Sequence, residues 1–161
     1  MQYTELGKTK ENVSILGFGA MRLPTKGSND NIDENTASEI LSYGIDNGIN
    51  LIDTAYPYHD GESEPFVGRV LKKYKREDFY LATKLPMFKI NSLEQAKEIF
   101  EEQMKRLDVN YVDFYLLHAL NKDTWKKVLD LNIIPYCEEL KKQGRIKNFG
   151  FSFHDDYEVF E

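Results

Sequence analysis

The stretch 48–86 places three side chains able to move or hold a proton beside apolar runs. The run 49–52 ends on Asp53, and Tyr58 follows shortly after; a second run, 79–83, ends on Lys84. A third run, 111–117, is followed directly by His118. Charge at the end of a buried strand is costly unless it is paired or put to use. An ammonium beside a phenol stabilises the phenolate form. A carboxylate beside the ammonium holds it protonated and in place, and an imidazole near the phenol hydrogen-bonds a carbonyl or shares the proton. Together these groups make a general acid for a carbonyl oxygen. Reduction of that carbonyl also needs hydride, which no side chain supplies, so the chemistry implies a nicotinamide or similar cofactor. Each residue has a plainer reading. Asp53 and Lys84 could form a structural ion pair, Tyr56 rivals Tyr58, and His118 alone could be a core histidine. Asp53, Lys84 and His118 at strand ends, with Tyr58 close behind the first, together favour a site.

The elements that must hold these groups recur about every 30–35 residues, the period of a βαβ unit. Residues 1–14 suggest a small hairpin turning at Gly7-Lys8, and 13–19 read as a strand with glycines for close approach. Residues 21–32 read as a loop. Asp33 or Asn35 caps a helix stopped by Gly48. Strands follow at 49–52, 78–83, 111–117 and 146–151. Ser63 and Ser92 are the expected caps of two further helices, the second with an i,i+4 pair between Glu101 and Lys105. Asp123 or Thr124 opens a helical region to about 143, interrupted before Pro135. A last helix starts near His154.

Alternating strands and helices imply a parallel sheet. An open dinucleotide-binding sheet should carry G-x-G-x-x-G after its first strand, but Gly17-Phe18-Gly19-Ala20-Met21-Arg22 lacks the third glycine. Polar residues instead gather at the C-terminal strand ends: Asp53, Lys84, His118 and Ser152. That is how a (β/α)8 barrel builds its site. Such a barrel takes about 250 residues, so a chain of 161 is read as roughly its first five βα units, in one domain spanning 1–161. The open edges point to a fragment, to one half of a split protein completed by a C-terminal partner, or to self-association.

The net charge of −6 offers no basic face for nucleic acid. No apolar run approaches the ~18 residues of a membrane helix. The N-terminus has no apolar signal-like stretch, and the single cysteine, Cys137, forms no internal disulfide. A cytoplasmic setting is expected.

Asp53-Thr54-Ala55 followed by Tyr58, Lys84 after a strand, and His118 after Phe114-Tyr115-Leu116-Leu117 resemble the aldo/keto reductases. The resemblance runs from Leu16-Gly17-Phe18-Gly19 to Gly150-Phe151-Ser152-Phe153. It implies a (β/α)8 barrel and NADP(H)-dependent reduction of small aldehydes or ketones. By it, Tyr58 is the proton donor, Lys84 and Asp53 tune it, and His118 orients the carbonyl. Gly19, Ala20 and Met21 would line the nicotinamide end together with Asp53, and Ser152 would touch the carboxamide. The text around Tyr58 and Ser152 resembles most the bacterial subgroup with a ferredoxin-like iron–sulfur tail. The cysteines of that tail are absent, so no iron–sulfur cluster is assigned. Phe153 stands where many members have asparagine, and the last strands, which hold most of the dinucleotide, are not in the chain.

His59, Asp60 and Glu62 bunch in one turn, weak support for a metal, and no metal is assigned. His59 reads as a loop residue, Glu64 as a helix N-terminal charge or a support of the tyrosine loop, and Cys137 as a buried small hydrophobe. The competing functions are a regulatory or binding barrel that keeps the four residues, and a truncated barrel with no activity.

Overall fold

The computed structural model describes residues 1–27 and 31–161. Of the expected loop 21–32, residues 28–30 lie outside the described residues; the rest holds a helical turn at Ala20–Arg22 and a lone bridge between Thr25 and Ile32.

Tyr3–Glu5 (β1) and Asn12–Ser14 (β2) pair antiparallel, turning through Gly7 at φ +55°. This hairpin is tied to the chain just before the second parallel strand. Asn50 accepts from the Ser14 amide at 2.7 Å and donates to the Asn12 carbonyl, and the Tyr3 hydroxyl donates to the Gly48 carbonyl. It therefore seals the N-terminal end of the sheet, away from the chemistry.

The expected strand over 13–19 is divided. Ser14 is committed to the hairpin and to Asn50, so the chain must turn before joining the parallel sheet; Ile15 and Leu16 project outward, 62% and 58% exposed. Only Phe18–Gly19 (β3) enters that sheet. It is followed by Leu51–Asp53 (β4), Tyr80–Leu85 (β5), Val112–Leu120 (β6) and Ile146–Phe153 (β7), all parallel and in sequence order, with β3 and β7 as edges. The connections are Glu34–Asp46 (α1), Ser63–Leu71 (α2), Leu93–Leu107 (α3), and the pair Lys122–Asp130 (α4) and Ile133–Lys142 (α5). Tyr157–Phe160 (α6) follows β7.

Side-chain alternation divides the sheet into two faces. Ile52, Leu81, Leu85, Tyr115, Leu117 and Ile146 face the helices and join their apolar stripes in one buried core. Val13, Ala82 and Phe114, with Leu51 and Tyr80, form a smaller cluster on the inner face. Asp53 opposes Ala82, and Lys84 lies two residues beyond Ala82, so Asp53 and Lys84 share the inner face. Lys84, His118 and Ser152 lie inside their strands rather than just past them.

Several helix ends differ from expectation. Asp33 and Ser92 cap α1 and α3 as expected. Ser63 instead sits inside the first turn of α2, where its hydroxyl donates to the Ala20 carbonyl and meets the Thr54 hydroxyl. Asn121, in a reciprocal capping box with Thr124, starts α4. The break before α5 falls at Asn132, in the left-handed region at φ 54°, which leaves Pro135 in a first turn where no helical N–H is needed. Glu101 pairs with Arg145 rather than Lys105, at 3.0 Å.

Candidate active site

Lys84 is the centre of the site. β5 carries it onto the inner face, only 5% exposed, where its ammonium has a full set of acceptors. It donates to both Asp53 oxygens at 2.7 and 2.8 Å, to the Thr54 carbonyl at 2.9 Å, and to the Tyr58 hydroxyl at 3.3 Å. A buried ammonium needs such saturation. The Asp53 side chain is more open, 37% exposed, so one face of the ion pair looks toward solvent.

Tyr58 lies on the turn after β4. The following residues, His59, Asp60 and Gly61, all have positive φ, at 51°, 52° and 94°. This reversal turns Tyr58 back over the strand ends. Tyr56 points elsewhere: its hydroxyl donates to Glu102 on α3 at 2.8 Å, and its ring lies under the Arg106 guanidinium. The rivalry between the two tyrosines is thus resolved in space. His59 is not a simple loop residue; it is buried, and its Nε2 accepts from the Leu23 amide at 3.0 Å.

His118 meets Tyr58 edge to face, with ring centroids 5.7 Å apart, and has Phe88 at the same distance on another side. Its position depends on a bulge. The β6–β7 register slips between Leu117 and Leu120, and Ala119 has φ 54°. Such an extra residue re-aims side chains. Ser152 stabilises the bulge by accepting from the Ala119 amide at 2.8 Å. Burial pushes the His118 pKa down from 6.5 to about 4, helped by the positive charge of Lys84 and by His154. The imidazole is therefore neutral near pH 7. Its Nδ1 is buried without a hydrogen-bond partner among the described residues.

The structure thus brings Asp53, Tyr58, Lys84 and His118 together. Of the other expected positions, Ala20 is fully buried, while Gly19 and Met21 are open to solvent. Gly19 opposes Asp53 in register, and a Cβ added there would meet nothing within 4 Å. That leaves room beside Asp53 for a flat ring, so Gly19, Met21 and Asp53 fit the nicotinamide end of a dinucleotide, whereas Ala20, expected there too, has no exposed surface to offer it. The His59, Asp60 and Glu62 cluster does not become a metal site: no group of three or more potential ligands converges among the described residues.

Behind Lys84, in the layer between sheet and helices, lies a polar network that the sequence reading missed. Gln103 donates to the Lys84 carbonyl at 3.0 Å, to Glu64 at 2.8 Å and to the Thr83 hydroxyl at 3.1 Å. It accepts from the Tyr115 hydroxyl, and Thr83 donates to Glu64 at 2.6 Å. Glu64 is fully buried, and that burial raises its pKa. The available signal was Gln103 itself, a polar residue within the apolar stripe of Ala96, Phe100, Met104 and Leu107.

The aldo/keto reductase family model matches residues 15–161. This chain belongs to the aldo/keto reductase family. Its parallel strands are accordingly about five of the eight βα units of a (β/α)8 barrel. An aldo-keto reductase of Bacillus halodurans in its holo form superimposes with a TM-score of 0.77 at 35% identity, over 95% of this chain and 50% of that one. Among curated relatives, a probable aldo-keto reductase of Glycine max is 34% identical over 94% of this chain and 45% of its own length. A probable voltage-gated potassium channel subunit beta of Arabidopsis thaliana is 33% identical over 96% of this chain and 45% of its own length. This aldo/keto reductase chain thus spans about half the length of the curated relatives it matches. None of the described helices is long and apolar enough to cross a membrane.

Proposed function

We propose that this protein is an NADP(H)-dependent oxidoreductase that reduces small aldehydes or ketones. The observation that carries the reading is the Lys84 ammonium, held between the Asp53 carboxylate and the Tyr58 hydroxyl. In this reading the carbonyl oxygen accepts hydrogen bonds from Tyr58 and from neutral His118. Tyr58 gives up its proton, and the Lys84 ammonium stabilises the negative charge left on the phenol oxygen. Asp53 fixes the position of Lys84 through both carboxylate oxygens. When bound, the dinucleotide would supply the hydride. Gly19, Met21 and Asp53 would line its nicotinamide end, with the buried Ala20 behind them, and Ser152 would meet its carboxamide, the serine oxygen here accepting from the Ala119 amide. The chain acts as one domain over 1–161, in the cytoplasm, without an iron–sulfur cluster.

Fluorescence titration with NADPH, followed by NADPH oxidation with a panel of small aldehydes and NADH in parallel, tests this reading. Saturable quenching and aldehyde-dependent oxidation are expected; neither binding nor turnover would reject it for this chain.

A second reading, a barrel acting through partners, draws on the similarity to the Arabidopsis thaliana channel subunit. The open edges β3 and β7, and the exposed Phe151 and Phe160 beside β7, support association with a second copy or with a complementing C-terminal fragment. Light scattering that shows a monomer at all concentrations would count against self-association.

A further inference from the structure

We propose that Arg106 is a positioning residue for Tyr58, clamping both ends of the turn that carries the phenol and joining that turn to the backbone of Lys84 through Glu64 and Gln103. The inference rests on the functional reading above, in which Tyr58 is the acid.

The turn needs external restraint. His59 and Asp60 hold left-handed conformations at φ 51° and 52°, which are unfavourable for a residue with a Cβ. One restraint is the Leu23 amide on His59. Another is Arg106, on the last turn of α3. Its Nη1 donates to the Tyr56 carbonyl and to the Gly61 carbonyl, both at 3.4 Å, which are the residues flanking the turn. Its guanidinium covers the Tyr56 ring at 4.2 Å, and its Nη2 donates to Glu102 at 2.7 Å, the same carboxylate that receives the Tyr56 hydroxyl. Gly61 leaves the room: a Cβ there would lie 3.3 Å from Nη1.

The far side of the clamp leads to the lysine. Glu64 Oε2 is buried, has no hydrogen-bond partner among the described residues, and lies 3.6 Å from Arg106 Nη1. Its other oxygen accepts from Thr83 and from Gln103, and Gln103 also donates to the Lys84 carbonyl. The phenol and the ammonium, 3.3 Å apart, are thus set on two backbones that share one buried polar brace. Arginine suits the task because its planar fork spreads donors over Nη1 and Nη2, which here reach two carbonyls and the Glu102 carboxylate, whereas a lysine offers its donors from a single nitrogen.

Arg106→Gln and Arg106→Lys would be compared with Arg145→Gln, which breaks an ion pair of the same helix remote from the turn. The first measurement is hydrogen exchange of the segment 56–61, which needs neither cofactor nor turnover. Exchange there should rise at least tenfold in both Arg106 variants and stay unchanged in Arg145→Gln. The second is steady-state reduction of 4-nitrobenzaldehyde by NADPH. kcat should fall ten- to a hundredfold in Arg106→Gln while KM and the NADPH Kd stay within about twofold, and millimolar guanidinium should restore part of kcat in Arg106→Ala. Unchanged exchange in folded Arg106 variants overturns the clamp, as does a kcat in Arg106→Gln equal to that of an active wild type. If the wild type neither binds NADPH nor turns over, the reductase reading fails instead, and the exchange measurement alone decides whether Arg106 holds the turn.

Discussion

The Lys84 ammonium sits nearly equidistant from the two Asp53 oxygens, at 2.7 and 2.8 Å, although the two residues are on different strands. The contact follows from strand register. Asp53 faces Ala82, and one step of side-chain alternation beyond Ala82 brings Lys84 back to the same face. The ammonium has then satisfied its acceptors on the strand ends and turns its remaining contact to Tyr58.

Tyr58→Phe removes the hydroxyl that meets the Lys84 ammonium at 3.3 Å. The ring and its edge contact with His118 are preserved, so the fold should be unaffected. kcat for aldehyde reduction should drop by about 10²–10⁴-fold, the usual contribution of a positioned general acid. NADPH quenching should remain within about twofold of wild type. Unimpaired turnover would reject Tyr58 as the acid.

Lys84→Met replaces a buried ammonium by an apolar chain of similar length. Asp53 loses its partner but is open enough to rehydrate, so the loss of stability should be modest, about 1–2 kcal/mol by urea denaturation. Turnover should fall at least as far as in Tyr58→Phe, because the phenolate would no longer face a cation. A stable variant with wild-type kcat would show the ion pair to be structural only.

His118 makes stability depend on pH in a defined window. Burial lowers its folded pKa to about 4, against 6.5 when unperturbed, so the unfolded chain takes up this proton first on acidification. The contribution is complete above pH 6.5 and is lost as pH falls toward 4, amounting to roughly 2–3 kcal/mol. His118→Gln should flatten the stability profile over that interval and leave it nearly parallel to wild type above pH 7. Parallel profiles throughout would mean that the imidazole is not held neutral.

At Gly68, α2 packs directly against the backbone at the end of α3. A Cβ there would lie 2.7 Å from the carbonyl oxygens of both Arg106 and Leu107. These are backbone atoms and cannot swing aside, so Gly68→Ala should destabilise by about 2–3 kcal/mol and lower Tm by several degrees. A Tm equal to wild type would show that the two helices can separate freely.

Much of this was legible from local pattern. The alternation of apolar runs with amphipathic segments marked the five parallel strands and their helices. Ser92 and Asp33 were readable as caps because capping is local chemistry between residues three apart. Polar residues interrupting apolar runs marked Asp53, Lys84 and His118. What failed were boundaries that depend on remote partners. Asn50 draws Ser14 out of the expected strand, and Arg145 takes Glu101 from Lys105.

Residue type and spacing by themselves therefore determined the strand–helix rhythm, the family resemblance and the four side chains of the candidate site. Only the tertiary structure decided that Tyr58 rather than Tyr56 turns to Lys84, that a bulge aims His118, and that Glu64, Gln103 and Arg106 form a brace behind them. The reason is physical. Periodicity reports which face of an element is buried, whereas the orientation of a loop side chain and the partner of a buried polar group are set by atoms from segments far apart in the chain.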